Sequence, residues 1–318
     1  MPYELYWFDK TNGMAISYGI EADENTVTIP YIVVGFCVAD AYRDTTKYVV
    51  NEKGETILDE GGNPVPDYTA VDTAKTGAAK TAAATAAQVV AKNQGKGTYG
   101  KLVAYADYIK NAVSYNYAAA DKNNNYHYGD PWQLIYVFDN DPDTNVVCEG
   151  YSKAFKYLCD LTWTGSDPEV ACYLPTGTMD GGTGAGDHMW NIVSIGGANY
   201  LTDITNCDSY ADGKFAIGYP DQLFLCGAEG SVDASYAAAT TNGTVTYVYD
   251  QKTKDIYDQE LVLSATKYSP LTFSLNQLTE LARYAAGITT DESAAIDVNK
   301  DGIISAADLT AMAQSLAS

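Results

Sequence analysis

The chain has 318 residues, enough for one large domain or two smaller ones, and 46% of them are hydrophobic, enough for a real core. Its charge is lopsided, with 41 acidic against 19 basic side chains and a net charge of −22, which repels phosphate backbones and argues against nucleic acid as a partner. No apolar run reaches the ~18–20 residues that span a bilayer, and no basic amphipathic stretch suggests a membrane surface.

Residues 1–70 read as a β-rich extension. Tyr3–Phe8 and Met14–Ile20 flank an Asn12-Gly13 turn, an arrangement suited to a hairpin. Thr26–Val38 is rich in β-branched residues, Lys47–Asp59 suggests a second hairpin turning at Asn51–Gly54, and Glu60–Asp67 reads as a loop. Val71–Lys92 is Ala-rich and predicts a helix that Gln94-Gly95-Lys96-Gly97 stops. Leu102, Tyr105, Ala106, Ile109, Ala112 and Val113 recur at helical spacing and predict a second helix. A third is expected from Cys148 through Leu161. Glu169–Leu174 reads as a strand, and Thr176–Asp187, with five glycines, as a mobile loop that could act as a lid or substrate-binding edge. Met189–Ile195 and Asn199–Ile204 read as strands paired through Gly196-Gly197. Phe215–Ala228, Thr244–Tyr249 and Glu260–Ala265 read as further strands, closing a domain over 71–265. Short helices are expected in the tail, 266–318.

Six cysteines are present: Cys37, Cys148, Cys159, Cys172, Cys207 and Cys226. They contain no CxxC pair and fit no zinc framework. An even count permits three disulfides, but a chain this long does not need them, and buried free thiols are a common alternative. Cys148 stands apart. A free thiol, with a pKa near ~8.5, is mostly protonated at neutral pH, and the positive end of a helix or a neighbouring imidazolium favours the thiolate. Val146-Val147 is extended, and Cys148-Glu149-Gly150-Tyr151-Ser152 opens a helix there. Its backbone N–H, with no helical acceptor, could also meet a developing oxyanion, and Glu149 suits the first-turn dipole. Only two histidines could serve as its base. His127 lies in an Asn-rich loop. His188 opens a strand, and Asp203, fifteen residues later, could orient it from an adjacent antiparallel strand.

Cys148-Glu149-Gly150-Tyr151-Ser152-Lys153-Ala154-Phe155, then His188-Met189-Trp190-Asn191, then Asp203, resembles the transglutaminase-like superfamily, whose members are similar to papain. Val113-Ser114-Tyr115-Asn116-Tyr117 resembles the approach to that site, and the likeness covers about residues 98–228. It implies Cys148 as nucleophile, His188 as general base and Asp203 as orienting carboxylate, with Trp190 beside the histidine and no cofactor for catalysis. Trp132 and Gln133 lie at a plausible distance for a second oxyanion donor, but no motif marks either. The implied fold is α+β: a Cys-bearing helix packed on an antiparallel sheet. The implied function is a cysteine enzyme that acts on peptide or glutamine amide bonds through a thioester, with hydrolysis favoured over protein cross-linking. The rival reading is an inactive binding module.

In the tail, Asp297, Asn299 and Asp301 occupy positions 1, 3 and 5 of a calcium loop, Gly302 position 6, the Ile303 carbonyl position 7 and Asp308 position 12. With Asp closing the loop, and with Ser305–Thr310 echoing Ser274–Thr279, this module resembles a type I dockerin. The resemblance implies a small helical EF-hand-like module and a cohesin module of a scaffold as partner. In the first repeat, Thr266, Tyr268, Pro270 and Gln277 replace the four oxygen-bearing positions, so one calcium is expected rather than two. Met1-Pro2-Tyr3 opens into strand-like sequence without a secretory leader, and the acidic composition, with 27 tyrosines, favours a secreted protein in its mature form.

Overall fold

The computed structural model describes residues 14–18, 20–22, 26–29, 32–39, 42–121, 132–165, 169–181, 186–209, 215–230, 235–257, 261–270, 273–299 and 302–316. The expected strand Tyr3–Phe8, its turn, His127 and Asp301 lie outside them. The fold is mixed α+β with antiparallel sheets.

The N-terminal region holds β1 (Met14–Tyr18), β2 (Glu21–Ala22), β3 (Val27–Thr28) and β4 (Ile32–Phe36), with β1 paired to β4 and β2 to β3. The hairpin expected at Asn51 is present, but Glu60–Asp67 is not a plain loop. It forms the third limb of a small ring. Ile57 N–H donates to Val49 O (2.9 Å), Val65 N–H to Ile57 O (3.0 Å) and Val49 N–H to Val65 O (2.9 Å). Pro64 and Pro66 lack N–H groups, yet Val65 between them donates to Ile57 O, and Asp67 donates to Lys47 O (3.0 Å). Val38 and Tyr42 are buried in the same core as the helices that follow.

α1 (Thr73–Lys92) begins where Asp72 accepts the Ala74 N–H (3.0 Å). α2 (Thr98–Ala112) buries Leu102, Tyr105, Ala106 and Ile109, as its spacing predicts. α3 (Tyr117–Ala120), α4 (Trp132–Val137) and α5 (Cys148–Thr162) follow, and α1, α2 and α4 all pack on α5. Among the described residues, no helix is long and apolar enough to cross a membrane.

β5 (Val170–Tyr173) and β6 (Thr176–Asp180) run antiparallel to β8 (Asn191–Ile195) and β7 (Gly186–Met189). The expected glycine-rich loop is therefore mostly strand. The two ladders share one register: Tyr173 faces Ile192, Thr176 faces Met189, and Trp190 N–H donates to Pro175 O between them (3.3 Å). One long hairpin thus bends at Pro175 and Trp190 and changes sheets. β9 (Ala198–Thr202) adds to β8. β10 (Glu229–Gly230), β11 (Tyr236–Thr240) and β12 (Gly243–Tyr249) complete a five-stranded sheet in the order β10-β11-β12-β6-β7. Residues 215–228, expected as strand, form turns and isolated bridges. Leu223, Phe224, Leu225 and Cys226 are buried by loop packing rather than by strand alternation, while Phe215 is exposed. Leu263 likewise makes one bridge, to Asn199, in place of a full strand. α6 (Gln251–Tyr257) caps the sheet. In the tail, α7 (Leu275–Ala285) begins with a Ser274–Gln277 capping box, and α8 (Ala306–Leu316) packs against it. Gly97 N–H donates to Gln314 O (3.0 Å), which joins α8 to the turn between α1 and α2.

Candidate active site

Cys148 is the first residue of α5, and its helix-opening N–H has no carbonyl one turn back to meet. The first turn of α5 lies against Val146. A Cβ on Gly150 would stand 2.5 Å from the Val146 Cβ, so only glycine allows this approach. Ser152 donates to Met189 O (2.9 Å), and Asn191 Nδ2 donates to Ser152 O (3.0 Å). These bonds fasten the start of α5 to the bend between β7 and β8.

His188 lies on β7, at the edge of the large sheet. Asp203 follows β9 of the small sheet, where the chain leaves the strand for a 3₁₀ turn at Thr205–Cys207. The two therefore meet across a sheet boundary, not along neighbouring strands of one sheet. His188 Nε2 and Asp203 Oδ2 are 2.8 Å apart, with 8% and 0% of their side chains exposed. That bond leaves Nδ1 as the other ring nitrogen, and Cys148 lies beside the ring in the same cleft. The ring also stacks at 6.0 Å and 14° on Trp190, which Tyr249 stacks in turn at 5.8 Å.

Burial opposes charge on His188, but the Asp203 carboxylate outweighs it, and with Cys148 beside it the imidazole is pushed up to about 10. Burial likewise opposes charge on Asp203. Nevertheless His188, Asn206 and Tyr247 hold this carboxyl below its ordinary range. Asn206 donates through its backbone to Oδ1 (3.2 Å) and through Nδ2 to Oδ2 (2.7 Å), and Tyr247 OH donates to Oδ2 (2.7 Å). At neutral pH the ring is an imidazolium beside the Cys148 side chain, and it can hand a proton to a leaving group.

Three features of the site carry no sequence motif. Asn206 sits three residues beyond Asp203 in the local turn. Tyr247 arrives from β12, two strands away from β7. Gln133, on α4, is fully buried; its Oε1 accepts the Val147 N–H (3.0 Å), and its Nε2 has no partner. A committed acceptor and an idle donor next to the nucleophile suit an incoming oxyanion. Of the two upstream candidates, Gln133 is thus bonded to the residue before the nucleophile, while the side chain of Trp132 lies outside the described residues.

The cleft beside Cys148 and His188 has a volume of about 520 Å³, with Glu149, Asp187 and Asp250 on its walls and, among the described residues, no lysine or arginine. β6 and β7, read as a loop in sequence, form one side of it.

In the tail, Asp308 is buried and accepts the N–H groups of Val298 (2.8 Å), Asn299 (3.3 Å) and Ser305 (2.8 Å). The Ser305 bond leads in holding its carboxyl below the ordinary range. Asp297 Oδ2 accepts the Gly302 N–H (2.8 Å), whereas Asp297 Oδ1 is buried without a partner. Gly302 takes φ +82°, the left-handed turn its position requires. Ile303 keeps its side chain in solvent. Among the described residues, no three His, Cys, Asp or Glu side chains form a metal-holding group, with Asp301 outside that set. An orphaned carboxylate oxygen inside a loop of this spacing fits a hard cation. No family model matches the chain, and no curated protein is significantly similar to it.

Proposed function

We propose that this protein is a cysteine enzyme that cleaves amide bonds of a peptide or protein substrate through a thioester, on a transglutaminase-like, papain-related core. The observation that carries the reading is that His188, bonded to the buried Asp203, lines one cleft with Cys148 at the start of α5. The Cys148 thiolate attacks the carbonyl carbon. The oxyanion is met by the Cys148 N–H and by Gln133 Nε2. His188 Nδ1 protonates the leaving amine, and Asp203 holds the ring for both steps. Water then attacks the thioester, with His188 as base. An amine in place of water would give cross-linking.

The tail is read as a dockerin-like module, residues 266–318, that holds one calcium through Asp297, Asn299, Asp301, the Ile303 carbonyl and Asp308. Calcium would supply positive charge that draws these oxygens together and fixes the loop. A secreted enzyme held on a cohesin-bearing scaffold agrees with the acidic composition. Peptide turnover by the purified chain tests the catalytic reading. Cys148→Ala should abolish it, a loss of at least about 10⁴-fold. Unchanged turnover would remove the nucleophile and the reading with it.

A further inference from the structure

Two other cysteines lie behind the cleft. Cys159 is on α5, eleven residues after the nucleophile, and Cys172 is on β5. They are 1% and 4% exposed, and Cys172 is close enough to Cys159 to help push its thiol up, after the larger effect of burial. The neighbouring bonds place Cys172 against the same stretch of α5, which packs on β5. Lys156, one turn before Cys159, donates to Cys172 O (2.9 Å), and Asn191 Nδ2 reaches Cys172 Sγ (3.5 Å). Cys172 therefore sits against the face of α5 that carries Lys156 and Cys159. All six cysteines are free thiols in this structure.

We propose that Cys159 and Cys172 are a disulfide-forming pair that ties the helix bearing Cys148 to the sheet that runs on into the His188 strand. The placement is specific: β5 pairs with β8, and β8 continues through Trp190 into β7. A bond there closes a loop of about 14 residues and restrains the two elements whose spacing sets the Cys148–His188 contact. The oxidant is a small-molecule disulfide. One protein thiolate attacks it, forms a mixed disulfide and releases one small thiol. The second protein thiolate then attacks the mixed disulfide and releases the other, and the two protons pass to the two released thiolates. Burial pushes the Cys159 thiol well up, so exchange in the folded protein is slow and proceeds through local opening or during folding.

The test uses the full chain carrying Cys148→Ala, so that this partly exposed thiol does not consume the reagent. It is incubated with oxidised glutathione a few degrees below its melting temperature, then denatured, alkylated and mapped. The expected product is about 2 Da lighter, with Cys159 and Cys172 in one cross-linked peptide pair. It should melt on the order of 5 °C higher than the reduced form, and dithiothreitol should reverse the shift. Cys172→Ala in the same background should show neither change. The proposal is overturned if both thiols are still alkylated, if the cross-link joins other cysteines, or if the bond forms and the melting temperature does not rise. Because the readouts are mass and melting, they stand apart from whether the cleft is catalytic.

Discussion

Asp203 and Asp297 are the anchoring carboxylates of two different regions, the cleft and the C-terminal loop. Every lone-pair direction of Asp203 Oδ2 is served by the chain itself, through His188, Asn206 and Tyr247. Asp297 keeps one oxygen buried and unserved. The cleft is thus organised in advance, with its charge balanced before any substrate arrives. In the C-terminal loop that unserved oxygen is where the proposed calcium would sit. The partners of Asp203 come from three separate stretches of chain, whereas the loop draws all its donors from within twelve positions.

The largest expected effect comes from breaking the balance in the cleft. Asp203→Asn keeps the shape but removes the charge that holds the His188 proton. The sign follows from the raised imidazole. Its folded value of about 10 lies above the ordinary 6.5, so the pair's stabilisation is fully present below about 6.5 and is lost as pH rises through 10. Without the carboxylate, burial dominates and the ring loses its proton earlier. Turnover should fall by about 10²–10⁴-fold, and the alkaline limb of the pH–rate profile should move down toward ~6.5. An unmoved alkaline limb would separate Asp203 from the ring's charge.

A smaller loss is expected from Gln133→Ala. It removes a donor that is idle in the resting site, so kcat should fall by about 10²-fold with little change in KM. A change in KM alone would reassign Gln133 to substrate binding.

The C-terminal loop should respond to calcium and the cleft should not. Calorimetry should find one site, and saturating calcium at about 100 times Kd should add roughly 2.7 kcal/mol to the stability of the unit that binds it. Asp297→Asn should abolish that heat while leaving peptide turnover within about twofold, as expected for independent sites. Two sites, or none, would break the contrast.

The same contrast explains how much the sequence discloses. The calcium spacing and the Cys148 helix are local, and the residues that carry them are adjacent in the chain. The hairpin of β8 and β9 is legible too, because Gly196-Gly197 marks its turn. The β6–β7 strands are obscured because their glycines break the alternation, and their pairing comes from continuing the β5–β8 register past Pro175. The turns over 215–228 are mistaken for strand because Leu223–Cys226 form an apolar run that is buried by loop packing instead. Tyr247 is reachable only through the order β12-β6-β7, which no window of sequence contains. Asn206 is close to Asp203 in sequence, but nothing marks it until the chain turns at Thr205. Gln133 becomes distinctive only once its Oε1 is seen bound to Val147.

The central claim is that the His188 imidazolium, held by Asp203, activates Cys148. Alkylation of Cys148 by iodoacetamide at pH 6, compared between the unaltered protein and His188→Ala, tests it most directly. The account predicts that the unaltered protein reacts at least about 10-fold faster, because only there does a neighbouring cation favour the thiolate. Equal rates in the two proteins would contradict it.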